Sequence, residues 1–392
     1  MSNFLRRLPL SRLLLLCGVL IGVGVGATAL ATALGVGPTP PPKPLPEAIH
    51  DALTAGAGGN RIQGVSAQVQ LTNHLLEGAN LAGGEEAGQL TSSPLLSGAS
   101  GRLWISKDGH VRLELQSEKG DTQVYYDGHT VSMYDAATNT LYRYAPKEGE
   151  WSPGESWSGS QEGGSGPSDG AAGPESGTHR EIPSVAKIEE AISHLSKHAN
   201  VSGATPTDIA GQAAYTVRVS PNESGSLVAG AELSWDAVHG VPLRAAIYST
   251  ESAAPVLELV ATSISYGPIE PSVFEFTPPA GAKVEEVVLP KHGEHQGSST
   301  QGGEHEHPNV TTHGRGPGTI AVLQAKARSG SSSQSPLPEG LQQVKIDGTT
   351  ASELPTELGT LLSFEREGVR YLIAGSVPPS AVEAVAKGFV AP

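Results

Sequence analysis

GRLWISKDGHVRLELQS, residues 101–117, decides the fold. Leu103 and Ile105 stand before Asp108-Gly109, and Val111, Leu113 and Leu115 stand after it, each set spaced two apart. Period-two alternation marks a strand with one buried face. Asp-Gly between two such runs supplies the positive φ that a tight hairpin needs. The device recurs at 124–134, where Asp127-Gly128 separates apolar positions, and Leu141 to Tyr144 follows after Asn139. Upstream, Val65, Ala67, Val69 and Leu71 alternate with polar residues. Together these runs predict an antiparallel meander of about six strands.

Working outward, residues 47–55 form a short helix behind Pro46, with Ile49 and Leu53 four apart. Residues 78–101, rich in Gly, Ser and Leu, read as a loop. Residues 152–180 hold almost no aliphatic side chains, so they cannot offset the entropy of ordering and are expected to be a disordered insertion. Residues 184–199 place Val185, Ile188, Ile192 and Leu195 on one helical face. Strands are expected at 213–219, 231–236, 242–249 and 256–266, then 284–289. In the tail, strands at 319–325, 343–346, 361–366 and 369–374 precede a helix whose Ser380-x-x-Glu383 reads as a capping box.

The whole chain has 392 residues, 49 of them glycine and 30 proline, with 17% charged and 5% aromatic side chains. Those proportions disfavour a coiled coil and a charge-driven disordered chain. The net charge of −15 argues against nucleic acid as a partner. The first 36 residues carry Arg6, Arg7 and Arg12 and no acid, so the rest is more acidic still. From Leu13 to Val36 no residue is charged, a run long enough to cross a bilayer with the arginines kept inside. Small-x-small triplets around Ala29 and Ala31 suit a cleaved signal peptide instead. Both readings export the bulk of the chain. Cys17 is the single cysteine, which excludes internal disulfides, and the leucine before it makes a poor lipoprotein signal.

The order of motifs resembles the LolA/LppX/RseB superfamily of envelope proteins. The residues that carry the resemblance are VSAQVQL (65–71), the G-x-L-x-I-x-x-x-G-x-x-R hairpin from Gly101 to Arg112, VYYDGHTVSMYD (124–135), ELSWDAVHGVPLRAAIYS (232–249) and the Phe274-x-Phe276-x-Pro278-Pro279-x-Gly281 run. GVRYLIAGSVPPSAVEAVAKGF (368–389) resembles the smaller C-terminal domain of the RseB/MucB-like branch. The resemblance implies a mostly β, α+β fold: a curved, half-open antiparallel barrel with plugging helices, plus a small α+β C-terminal domain. With the N-terminal transmembrane helix, the expected organisation is 1–36 anchor, 37–46 Pro-rich spacer, 47–290 half-barrel, 291–318 His/Gly-rich linker and 319–392 C-terminal domain with a Ser-rich linker at 329–338.

No constellation supports an enzyme or a cofactor. Gly166-Pro-Ser168-Asp-Gly170 matches a nucleophile motif but lacks the strand and helix that make one. His292, His295, His305 and His307, joined by His313 and three glutamates, are only weak metal-ligand candidates; a polar, pH-responsive linker is the favoured reading. Trp151 and Trp157 flank the first insertion, either packed at the barrel edge or set in a membrane interface. Leu103, Ile105, Leu113, Leu115, Val131 and Met133 are the expected inward positions; they line either an ordinary filled core or an acyl-chain cavity. Two roles follow from the resemblance. One is a non-enzymatic extracytoplasmic carrier of lipid or lipoprotein acyl chains. The other is a regulator whose two domains clamp an anti-sigma factor or another membrane protein.

Overall fold

A computed structural model of the chain describes residues 37–57, 62–77, 79, 93–118, 120–145, 182–287, 309–326, 337 and 340–390. The anchor expected at 1–36, the insertion expected at 152–180, and Ser168, Trp151, Trp157, His292, His295, His305 and His307 lie outside these residues. Among the described residues no helix is long and apolar enough to cross a membrane.

The predicted meander is present. β1 (Gly64–Asn73), β2 (Ala99–Ser106), β3 (Val111–Ser117), β4 (Gly120–Tyr126), β5 (Val131–Asp135) and β6 (Thr140–Tyr144) pair in chain order, all antiparallel. β1 also pairs with β12 (Pro255–Tyr266), from which the sheet runs on through β11 (Pro242–Ser249) and β10 (Val228–Asp236) to β9 (Gln212–Pro221). β7 (Ala199–Val201) and β8 (Thr205–Ile209) both pair with the free side of β9. At the other end, β13 (Lys283–Glu286) lies parallel to β6. The thirteen strands form an open path, not a closed barrel. So wide a twisted sheet curls, and the inner face is the one that carries the core.

The helices sit on that inner face. Paired residues of antiparallel strands share a face, so the row Leu71, Leu259, Ala245, Leu233 and Val217 links β1 to β9 on one side of the sheet. α1 (Leu45–Ala57) and α3 (Val185–Leu195) bury Leu45, Ala48 and Ile192 against Tyr215, Trp235, Leu233 and Val217 of that face. α2 (Pro94–Ser97), inside the stretch expected to be a loop, drops Leu95 into the core between β1, β3 and β4. Its short run of Pro-Leu-Leu gives too little periodicity to be recognised. α3 ends at Leu195 instead of 199, because Ala199 is needed as the first residue of β7. The Pro-rich stretch lies against the body: Tyr215 donates its hydroxyl to the Pro41 carbonyl (2.6 Å), and Lys43 bridges to Ala204 and pairs with Asp51.

The second domain is a six-stranded antiparallel sheet. Its strands are β14 (Asn309–His313), β15 (Ile320–Lys326), β16 (Gln342–Ile346), β17 (Thr349–Thr356), β18 (Gly359–Arg366) and β19 (Val369–Gly375), in spatial order β14-β15-β19-β18-β17-β16. β14 falls inside the segment assigned to the linker, where its polar, largely exposed NVTTH shows no buried alternation. α4 (Pro379–Val390) covers one face through Val382, Ala386 and Val390. It begins at Pro379, so Ser380 lies within the first turn and is not the cap. The other face joins Leu337, Leu341, Leu354, Leu361 and Leu372 to Leu76 and Ala79 of the first domain. Two backbone hydrogen bonds add to this seam, Leu227 N–H to Ser376 O (2.7 Å) and Glu357 N–H to Leu75 O (3.1 Å). A half-open, helix-plugged sheet followed by a small α+β domain is the architecture the LolA/LppX/RseB resemblance implies.

Candidate functional site

The inner face of β1 to β6 carries two complete rows. Val65, Ile105, Val111, Tyr126, Val131 and Tyr144 stand opposite one another in succession, as do Ala67, Leu103, Leu113, Val124, Met133 and Tyr142. Neither row contains a charge. Register explains this: every strand has period two, so one shift by a single residue would send its polar set inward. All six expected inward residues lie on this face. Leu113, Leu115, Val131 and Met133 are buried in one core cluster, and Leu103 packs against it half-buried. Ile105 is half-buried at the rim, beside Val111 and Tyr126. The apolar surface therefore runs without a break from sealed core to partly exposed edge.

The outer face of the same strands explains two motifs that the sequence shows separately. Trp104, Arg112 and Tyr125 are cross-strand neighbours. The Arg112 guanidinium lies 5.7 Å from the Trp104 ring and 5.1 Å from the Tyr125 ring, pairs with Glu114, and donates to the Val273 carbonyl at 2.6 Å. That carbonyl belongs to the segment leading to Phe276, which stacks on Tyr125 (4.4 Å, 26°) and tilts against Tyr134 (5.6 Å). The hairpin arginine and the Phe-x-Phe run thus form one clasp, which carries the chain across to β13. Burial beneath it pushes the Tyr125 phenol up to about 12, with Arg112 opposing. Replacing Phe276 with Ala should cost about 2 kcal/mol in urea denaturation. It should also speed amide exchange at 284–286, because β13 would lose its anchor. Unchanged exchange there would separate the clasp from the edge strand. Beyond the clasp, a shallow depression of about 290 Å³ is lined by Ser66, Gln68, Arg102, Trp104, Ser263 and Ser265.

One cluster escaped the sequence reading. Asp236 is 1% exposed at the turn between β10 and β11. One carboxylate oxygen accepts the Val238 and His239 amides (2.7 and 2.9 Å); the other meets the Tyr266 hydroxyl and His239 Nδ1 (3.1 Å). Burial alone would raise this carboxyl, but the hydrogen bonds from Tyr266 and His239 outweigh it and hold it below the usual range. Every acceptor site is thereby used for holding the turn. The Asp-x-x-His spacing is visible in sequence; Tyr266, 30 residues away, is not. A second polar group ties β9 to β12 on the outer face. There Arg244 reaches Glu232 and Glu258, and Arg218 meets Glu232 while resting 4.5 Å from the Tyr248 ring. Among the described residues no group of three or more His, Cys, Asp or Glu side chains could hold a metal ion.

The chain is similar to MucB. The Pseudomonas aeruginosa MucA/MucB complex structure matches 87% of this chain and 96% of that one, at 14% identity and a TM-score of 0.39. An uncharacterised conserved protein from Thermus thermophilus matches 62% of this chain and 98% of its own, at 11% identity and a TM-score of 0.33. A putative outer membrane lipoprotein-sorting protein domain from Vibrio parahaemolyticus matches 58% and 95%, at 10% identity and a TM-score of 0.22. No family model matches the sequence, and no curated protein does.

Proposed function

We propose that the chain is a non-enzymatic extracytoplasmic binding protein that takes acyl chains of a lipid or lipoprotein against the inner face of its half-barrel. The observation that carries this reading is the uncharged double row that passes from buried Leu113 and Val124 to half-buried Leu103, Ile105, Val111 and Tyr126. An acyl chain laid along that rim would gain about 0.8 kcal/mol per methylene removed from water. The acidic remainder of the chain fits such apolar capture better than adhesion to anionic headgroups. Residues 1–36, as a retained anchor or a cleaved signal, would put the body outside the cytoplasm.

Mass spectrometry of gently purified protein, with a fluorescent fatty-acid probe, tests the reading. Bound lipid should be found, and Ile105→Glu at the half-buried rim should weaken probe binding about tenfold or more, since it sets a charge in the apolar path. No lipid and no probe binding would overturn it. A second reading, a regulator that clamps a membrane partner such as an anti-sigma factor, draws support from the seam that fastens the two domains through Leu76, Leu337, Leu341 and Leu354. Capture of an anti-sigma factor's extracytoplasmic segment by the full chain, lost on Leu354→Ala, would favour it over the carrier.

A further inference from the structure

Glu353 is the least expected residue of the second domain. It lies on β17, 2% exposed, opposite Gln342 of β16 and Leu362 of β18. Ala351 and Leu362, on the same face, belong to the core beneath α4. A carboxyl group is therefore sealed under the C-terminal helix, and its Oε1 has no hydrogen-bond partner among the described residues. The groups facing it are the uncharged Gln342 and Leu362 from the strands and, from the helix itself, a second carboxyl, Glu383. An ionised carboxylate in that place would lack both water and a counter-charge.

We propose that the C-terminal helix is a pH-operated latch, closed while Glu353 is protonated and loosened when Glu353 ionises beneath it. Burial first, and then the field of Glu383, holds the Glu353 carboxyl above its ordinary range. The sign follows from linkage. The closed form binds the proton more tightly than the open form, so closure is fully favoured below the ordinary glutamate value. It weakens as pH rises from there through the raised value, and levels off above it. Loosening bares the apolar sheet face of Val322, Leu362 and Ile373, which is otherwise fully buried. At the far end of α4, Arg366 donates to the Phe389 carbonyl (3.4 Å), and the His313 ring stands edge-on to the Phe389 ring (5.7 Å), so a pH response that arises there would persist in Glu353→Gln.

Hydrogen–deuterium exchange on the full chain, corrected for the intrinsic pH dependence of exchange, reads the latch directly. Protection of amides at 382–390 should fall severalfold between pH 5 and 8, because the closed form holds the Glu353 proton more tightly than the open form. Glu353→Gln should keep the helix protected and flat across that range. Glu383→Gln should move the midpoint to lower pH, because a repelling charge is gone. Protection that ignores pH in the parent chain, or a fall that survives in Glu353→Gln, would overturn the proposal. Should Glu353→Gln not fold, Glu383→Gln decides: an unmoved midpoint overturns it.

Discussion

Gly101→Ala should remove more than about 3 kcal/mol of stability, enough to leave little folded protein. Gly101 is paired across β2 and β3 with Leu115. A Cβ at Gly101 would stand 1.7 Å from the Glu114 carbonyl oxygen and 3.1 Å from the Leu115 Cα. Both are backbone atoms, so no side chain can swing aside; the strands would have to part, and with them the register of the whole inner row. Gly109, in the turn of the same hairpin, makes the control. It has φ +85° but open space around a Cβ, so Gly109→Ala should cost about 1 kcal/mol for the backbone conformation alone. Urea midpoints and soluble yield measure both. If Gly101→Ala costs no more than Gly109→Ala, close approach is not why the hairpin motif starts with glycine.

Asp236→Ala should cost about 3–5 kcal/mol. The substitution leaves two backbone amides and the Tyr266 hydroxyl without their acceptor inside a closed turn, and each orphaned group costs about 1–3 kcal/mol. The same carboxylate gives an acid limb. Its folded value lies below the ordinary one, so its stabilisation is fully present above about pH 4 and drains as pH falls through the lowered value. Asp236→Asn should be less stable than the parent at neutral pH and should lose that limb, so the two curves converge in acid. Parallel curves from pH 6 to pH 2 would show that the carboxylate's charge is not what the turn uses.

Much of the first domain could be read before any coordinates. Asp108-Gly109 and Asp127-Gly128 fix hairpins because the φ they need is written in the residue type. Leu103, Leu113, Val124 and Met133 follow because alternation is a local property. What was hidden depends on partners distant in sequence. TPTDI at 205–209 has no alternation and becomes β8 only because β9 offers its free side. NVTTH at 309–313 sits among glycines and histidines and is drawn into a sheet by β15. Phe274-x-Phe276 is visible as a motif, yet its seat on Tyr125 and its link to Arg112 span about 150 residues. Glu353 is the extreme case, since no pattern of residue types would place a glutamate under a helix. The site shows the same division: which face is apolar could be read, as could α1 and α3, whereas α2, which drops Leu95 onto that face, could not.

The way the thirteen-stranded sheet ends has a consequence for self-association. An open sheet normally exposes a long ladder of unpaired amides at each margin, onto which another copy can add. Here one margin is β13, four residues laid parallel on β6 and three of them charged, Lys283, Glu285 and Glu286. The opposite margin is split between β7 and β8, of three and five residues, with Gly203 between them. Neither offers a straight template longer than five residues. Among the described residues the sheet can thus stay open without offering another copy of the chain a long edge to extend.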